Sequence, residues 1–272
     1  MNETENHTDS EETNGHERRK RSRGIYLLPN LFTTAGLFAG FYSIVAAMGG
    51  RYEAAAIAIF VAMIMDGLDG RVARLTHTQS DFGAEYDSLS DMVAFGLAPA
   101  LVMFEWSLSD LGKLGWLACF IYTAGAALRL ARFNTQIGVV DKKFFQGLAS
   151  PAAAACMAGL VWISDFYEGK GPSLSWLALV LTISLALLMV SNIRYYSFKD
   201  LDLRGKVPFV AILLIVLVFV LISLSPPQVL FFGFLLYVLS GPVLTISKMR
   251  GHRIRRYFDR KKNRNNPEDG QG

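Results

Sequence analysis

Apolar residues along this chain gather into eight long blocks, at about 31–48, 54–75, 84–104, 114–132, 150–167, 174–191, 207–224 and 228–246. Each block approaches the roughly 20 apolar residues that a helix needs to cross the hydrocarbon core of a bilayer. The pattern predicts an all-α integral membrane protein: a polytopic helix bundle of about eight transmembrane helices, its spanning domain covering residues 25–247. These blocks fill most of the 272 residues and leave no room for a separate soluble domain. At 52% hydrophobic residues, the composition exceeds what a soluble core of this size buries.

Charge sets the direction. If eight spans alternate from a cytoplasmic N-terminus, Arg51, Lys113 and Lys170 fall outside, and the remaining 24 of the 27 basic residues fall inside or at inner helix ends. That asymmetry is the positive-inside pattern, and it predicts two cytoplasmic termini. Residues 1–24, MNETENHTDSEETNGHERRKRSRG, are polar and charged, so they are expected to stay disordered. They are not expected to be a signal peptide, because an acidic stretch precedes the basic cluster and the next apolar block is long enough to span. The lack of a targeting segment fits a prokaryotic plasma membrane. Residues 248–272 read as a basic cytoplasmic tail. This tail and the cluster from Arg18 suit anionic membrane lipids, and no nucleic acid is needed to explain them. Cys119 and Cys156 lie in separate apolar blocks, where a thiol serves as a small hydrophobe.

One stretch departs from the apolar pattern. Met65 to Asp91 carries six acidic residues between two apolar blocks. Only Ala54–Met65 is apolar before the first of them, about 18 Å of helix at 1.5 Å per residue. To span, the second helix must therefore continue through DGLDGRVAR, and the third must start near Gly83 or Ala84. The eight residues LTHTQSDF are left as a cytoplasmic loop joining antiparallel neighbours. At helical spacing Asp66, Asp69, Gly70 and Ala73 share one stripe, with Arg74 at its edge, and Gly83, Asp87 and Asp91 share another. Asp81 and Glu85 fall off these stripes and are expected to be solvated. Ionisable groups inside spans are costly and mark function. Four converging carboxylates repel one another unless cations neutralise them, and an all-oxygen set suits two Mg²⁺ or Mn²⁺ ions. Such ions keep positions open for phosphate oxygens, so a pyrophosphate or nucleotide diphosphate is the natural ligand. The small residues on the stripes make room for it, and Arg74 offers a planar donor.

These positions spell D-x2-D-G-x2-A-R-x8-G-x3-D-x3-D with every spacing kept, and in this the chain resembles the CDP-alcohol phosphatidyltransferases. The resemblance implies transfer of a phosphatidyl group from CDP-diacylglycerol to an alcohol, with CMP as the product, at a two-metal site open to the cytoplasm. It implies Asp66, Asp69, Asp87 and Asp91 as metal ligands, with Asp91 also the catalytic base for the acceptor hydroxyl. Asp69, Gly70, Ala73, Arg74 and Gly83 would hold the CDP moiety. A homodimer is implied as well. PNLFT, in which Pro29 and Asn30 are expected to open the first helix, is similar to a P-N-x-x-T element that lines the nucleotide site. Asn30 and Thr33 join the CDP set on that ground, against the alternative that Asn30 is a helix cap.

Three further segments resemble the serine-using branch of the family: RLARFN, FFQGLASPAAA from Phe144, and LMVSNIRYYSFKDL, which reaches Leu201. Ala149 stands where several members carry proline. L-serine brings a carboxylate that an arginine pair can grip in a forked geometry, which makes Arg129 and Arg132, with Asn134, the acceptor-binding candidates. The competing reading is topological, since basic residues at an inner helix end are required there anyway. It covers Arg194 and Lys199 too, while Lys142 and Lys143 read as headgroup contacts. Glycerol phosphate, inositol phosphate and choline remain alternative acceptors. A cation-coupled transporter is the reading from another class, but the chain shows no internal repeat and its acids cluster toward one surface.

Overall fold

The computed structural model describes residues 23–76, 78, 80–136, 144–167, 171–196 and 209–265; side chains are described over slightly shorter stretches. The expectations for residues 1–22, Lys142, Lys143, Lys199 and 266–272 lie outside the described residues. So does the side chain of Arg194.

Helix α1 (Arg23–Met48) and helix α2 (Tyr52–Thr76) form a hairpin, closed at the Met48 end by Gly50 in the left-handed region at φ 69°. Helix α3 (Asp81–Asp91) runs through one π-helical turn (Met92–Leu97) directly into α4 (Ala98–Trp106). Helices α5 (Lys113–Gln136), α6 (Ser150–Phe166), α7 (Ser175–Val190), α8 (Phe209–Leu224) and α9 (Pro226–Asn265) complete the bundle.

Among the described residues, four helical stretches can cross a membrane by length and composition: Leu28–Met48, Asp81–Trp106, Lys113–Thr135 and Pro226–Thr245. α2 has the length but carries Asp66, Asp69, Arg71 and Arg74 in its last turns. α6 and α7 are apolar but only 17 and 16 residues long.

The bundle packs on small side chains. α6 contributes the run Ala152, Ala153, Ala154, Ala155, Cys156, Met157 and Ala158, all buried, and it packs against α2, α4 and α9. Small residues let backbones approach closely where lipid offers no hydrophobic drive between helices. Gly40 shows the same economy in α1, since a Cβ there would lie 2.8 Å from the Cα of Ala94. α8 presents its apolar side chains outward and packs against α9.

Three expectations need correction. Pro29 and Asn30 do not open the first helix, because α1 begins at Arg23 and both lie inside it. The helix-cap reading of Asn30 falls with that. The loop between α2 and α3 is residues 77–80 rather than eight residues, since Ser80 caps α3 two residues earlier than expected by accepting from the Gly83 N–H at 3.0 Å. The all-α description also needs an addition: β1 (Phe144–Gln146) pairs antiparallel with β2 (Arg194–Tyr196), Phe145 opposite Tyr195. Gly147, at φ 80°, comes directly after β1, and its N–H donates to the Ile193 carbonyl at 2.9 Å. This short ribbon ties the entrance of α6 to the exit of α7.

Candidate active site

The hairpin of α2 and α3 converges the acidic stripes. One carboxylate oxygen from each of Asp66, Asp69 and Asp87 lies within 4.8 Å of the other two, a spacing that can hold a metal ion. Asp91 lines the same cavity, together with Thr33, Gly36, Ala62, Ser90, Ala94 and Phe95. Asp69 is buried, while Asp66, Asp87 and Asp91 are partly exposed. Asp81 and Glu85 are exposed, away from this group.

α1 supplies the back wall. Thr33 Oγ1 donates to Asp69 Oδ2 at 2.9 Å and also approaches the Pro29 carbonyl at 3.1 Å. Buried Ser90, from α3, donates to the Thr33 carbonyl at 3.1 Å. The α1 and α3 backbones are thereby pinned on either side of Asp69. Further along, Thr34 Oγ1 and the Tyr86 hydroxyl are 2.9 Å apart. A Cβ on Gly83 would lie 3.1 Å from Ser80 Oγ and 3.5 Å from Asn30 Oδ1, so the glycine keeps α3 close to Asn30. Arg74 folds back over Gly70, with a guanidinium nitrogen 3.8 Å from where a Cβ would stand. Ala73 is partly buried, and its carbonyl accepts the Thr78 N–H at 3.1 Å as α2 ends.

A second polar group adjoins the first. Arg129, on α5, lies within electrostatic reach of Asp91. Its Nη1 donates to Ser150 Oγ at 2.8 Å, and its Nε is buried with no hydrogen-bond partner among the described residues. Asn134 Nδ2 donates to Ser88 Oγ at 3.0 Å, one residue from Asp87. Arg132 reaches away, toward Asn192 Oδ1 at 3.4 Å. Of the three acceptor candidates, Arg129 and Asn134 therefore attach to the neighbourhood of Asp87 and Asp91, and Arg132 attaches to the α7 exit. Ser88, Ser90, Ser150 and Asn192 were absent from the sequence candidates. Their signal was present, as short polar residues inside or bordering apolar blocks.

The family model of the CDP-alcohol phosphatidyltransferases matches residues 26–188, which hold α1 through nearly all of α7. The chain belongs to this family. As a CDP-alcohol phosphatidyltransferase family member it is similar to the CDP-diacylglycerol–serine O-phosphatidyltransferase of Helicobacter pylori (strain ATCC 700392 / 26695), with 39% identity over 196 residues, 72% of this chain and 83% of the relative. The protein of the same name from Mycobacterium leprae (strain TN) is 35% identical over 181 residues, 65% of this chain and 60% of the relative. The archaetidylserine synthase of Methanothermobacter thermautotrophicus is 35% identical over 179 residues, 65% and 72% respectively. With these relatives and its apolar helices, the family member is a membrane protein, and its aspartate cluster can hold a divalent ion.

Ala73 offers a test of the expectation, carried by the family resemblance, that this face of α2 seats the CDP moiety. Ala73→Leu adds bulk one turn after Asp69 at a partly exposed position, so the fold tolerates it. The expected result is a fall of about 10²-fold in kcat/KM for CDP-diacylglycerol, the scale of a misplacement near 1 Å. Circular dichroism and thermal melting in detergent are expected to match the parent.

Proposed function

We propose that the protein transfers the phosphatidyl group of CDP-diacylglycerol to the hydroxyl of L-serine, forming phosphatidylserine and releasing CMP. The observation that carries the reading is the convergence of Asp66, Asp69 and Asp87 beside Asp91 in a chain whose relatives bear that activity in their names. The site belongs to an eight-span domain, residues 25–247, and faces the cytoplasm of a prokaryotic plasma membrane, as the basic-residue asymmetry supports. The basic segments at both ends lie against anionic lipid. The family resemblance supports a homodimer.

Asp66, Asp69, Asp87 and Asp91 hold two divalent ions, Mg²⁺ or Mn²⁺, which screen phosphate charge when bound. Asn30, Thr33, Gly70, Ala73, Arg74 and Gly83 seat the CDP moiety, with Thr33 fixing the Asp69 rotamer and Gly83 admitting Asn30. An apolar groove of about 710 Å³ between α1 and α2, lined by Leu31, Phe38, Tyr42, Ile57, Val61 and Met65, ends next to Asp66 and suits an acyl chain of the donor. Asp91 takes the proton of the acceptor hydroxyl, since a neutral alcohol is a weak nucleophile. The serine oxygen then attacks the phosphorus that bears diacylglycerol, in line with the departing CMP oxygen.

Arg129 offers its unpartnered Nε to the serine carboxylate, held in place by Ser150, with Asn134 nearby on Ser88; Arg132, turned toward Asn192, stands further off. Arg129→Lys keeps the charge and loses the fork. At about 2 kcal/mol for a charged hydrogen bond, the KM for serine rises ~30-fold with kcat little changed.

An acceptor panel tests the whole reading. Solubilised protein with Mn²⁺ and CDP-diacylglycerol is offered serine, glycerol 3-phosphate, inositol 1-phosphate and choline separately. CMP release with serine alone supports the proposal; release with another acceptor moves the chain to a sibling activity, and release with none returns the transporter reading.

A further inference from the structure

The helix that carries Asp87 and Asp91 does not continue as an α-helix. From Met92 to Leu97 it is π-helical, and the Ala98 N–H reaches back five residues to the Val93 carbonyl. Single π-turns inside α-helices are rare and recur at functional sites. The cause here is local. Pro99 has no N–H for the Phe95 carbonyl four residues back, and its ring would collide with that carbonyl in a regular α-helix.

The carbonyl released in this way is buried, and it is satisfied from a different helix. The Tyr122 hydroxyl, on α5, donates to the Phe95 carbonyl at 3.1 Å, and Tyr122 is wholly buried. Thr123 adds a longer bond to the Gly96 carbonyl at 3.3 Å, shared with its own helix at Cys119. Gly96 permits the approach, because a Cβ there would lie 3.2 Å from the Ala126 Cβ of α5.

One extra residue in a turn rotates the helix on its N-terminal side by about 100° relative to the helix on its C-terminal side. The C-terminal side is fixed, since α4 buries Ala98, Val102, Met103 and Trp106 in the core. The π-turn thus decides which way Asp87 and Asp91 point. We propose that Tyr122 is a positioning residue for Asp91, holding open the π-turn that aims Asp87 and Asp91 at Asp66 and Asp69. The proposal rests on the reading of these acids as a metal site with Asp91 as its base.

The test uses the full chain in detergent and measures Mn²⁺ affinity by the electron paramagnetic resonance of free Mn²⁺, together with serine transfer and thermal stability. Tyr122→Phe is expected to lose stability, to weaken Mn²⁺ binding by about 10- to 100-fold, as loss of an outer-shell support does, and to slow transfer in parallel. Pro99→Ala added to Tyr122→Phe supplies an N–H for the Phe95 carbonyl and favours the plain α-helix. The double variant is expected to recover stability while Mn²⁺ binding and transfer stay impaired. Recovery of all three would overturn the proposal, because satisfying a carbonyl would then be all that Tyr122 does. So would Mn²⁺ binding and transfer that Tyr122→Phe leaves unchanged. If Tyr122→Phe alone does not fold, the double variant decides: stability near the parent's with weakened Mn²⁺ binding supports the proposal, and unchanged binding overturns it.

A cross-linking arm reads the turn without metal. With Asp66→Cys and Asp91→Cys in place, oxidation to the disulfide is expected to be several-fold slower when Tyr122→Phe is added, and equal rates would overturn the proposal. Failure of the parent protein to bind Mn²⁺ would refute the metal reading instead, and the cross-linking rates would still decide the role of the turn.

Discussion

Asp91→Asn will lower serine transfer by about 10²- to 10⁴-fold, the range spanned by general-base catalysis, while one Mn²⁺ still binds at Asp66, Asp69 and Asp87. The split is a consequence of geometry. Asp66, Asp69 and Asp87 have oxygens within 4.8 Å of one another, and this trio can bind an ion without Asp91. Asp91 lines the same cavity one turn further along α3, within electrostatic reach of Arg129. On the proposed reading, Asp91 is the acid of this group left to serve as base for the serine hydroxyl. Asparagine keeps the shape and removes the proton acceptor. Labelled-serine incorporation checks the rate, and Mn²⁺ titration checks the site. Transfer within about threefold of the parent would mean that another group takes the proton, since general-base effects are far larger than that.

The convergence of the acidic side chains was legible because their chemistry contradicts their surroundings. Acids cannot lie idle in apolar helices, and spacing of three and four assigns Asp66, Asp69, Asp87 and Asp91 to facing stripes from the sequence alone. Asn30 and Thr33 were legible only through resemblance. Their partners, Gly83 and Asp69, are more than 30 residues away, and helical periodicity carries no information about which helices touch. The start of α1 was misplaced because a proline normally marks a first turn, yet Pro29 sits within the helix. The ribbon of β1 and β2 was invisible for a related reason: three-residue strands have too little alternation to register as a pattern. The π-turn was written in the sequence by Pro99, but its partner Tyr122 looks like any interfacial aromatic until the fold brings α5 alongside.

Asp66→Ala separates a metal site from a merely acidic corner, because the two predict opposite signs. Without divalent ions, Asp66, Asp69 and Asp87 repel one another at short range in a partly desolvated cavity, and burying like charges together costs stability. Deleting one of the three relieves that repulsion. In EDTA at neutral pH, Asp66→Ala is therefore expected to melt higher than the parent. Mn²⁺ reverses the order. An ion that binds only the folded state stabilises it by mass action, so the parent gains stability as Mn²⁺ is added while Asp66→Ala does not. Loss of a direct ligand costs at least the roughly 100-fold in affinity that loss of an outer-shell partner can cost, and CDP-diacylglycerol binding through the ion is lost with it. Melting curves of both proteins in EDTA and across a Mn²⁺ series give the crossing directly. A variant that melts lower than the parent in EDTA would show Asp66 supporting the fold by itself. The convergence of carboxylates would then need an explanation other than a bound cation.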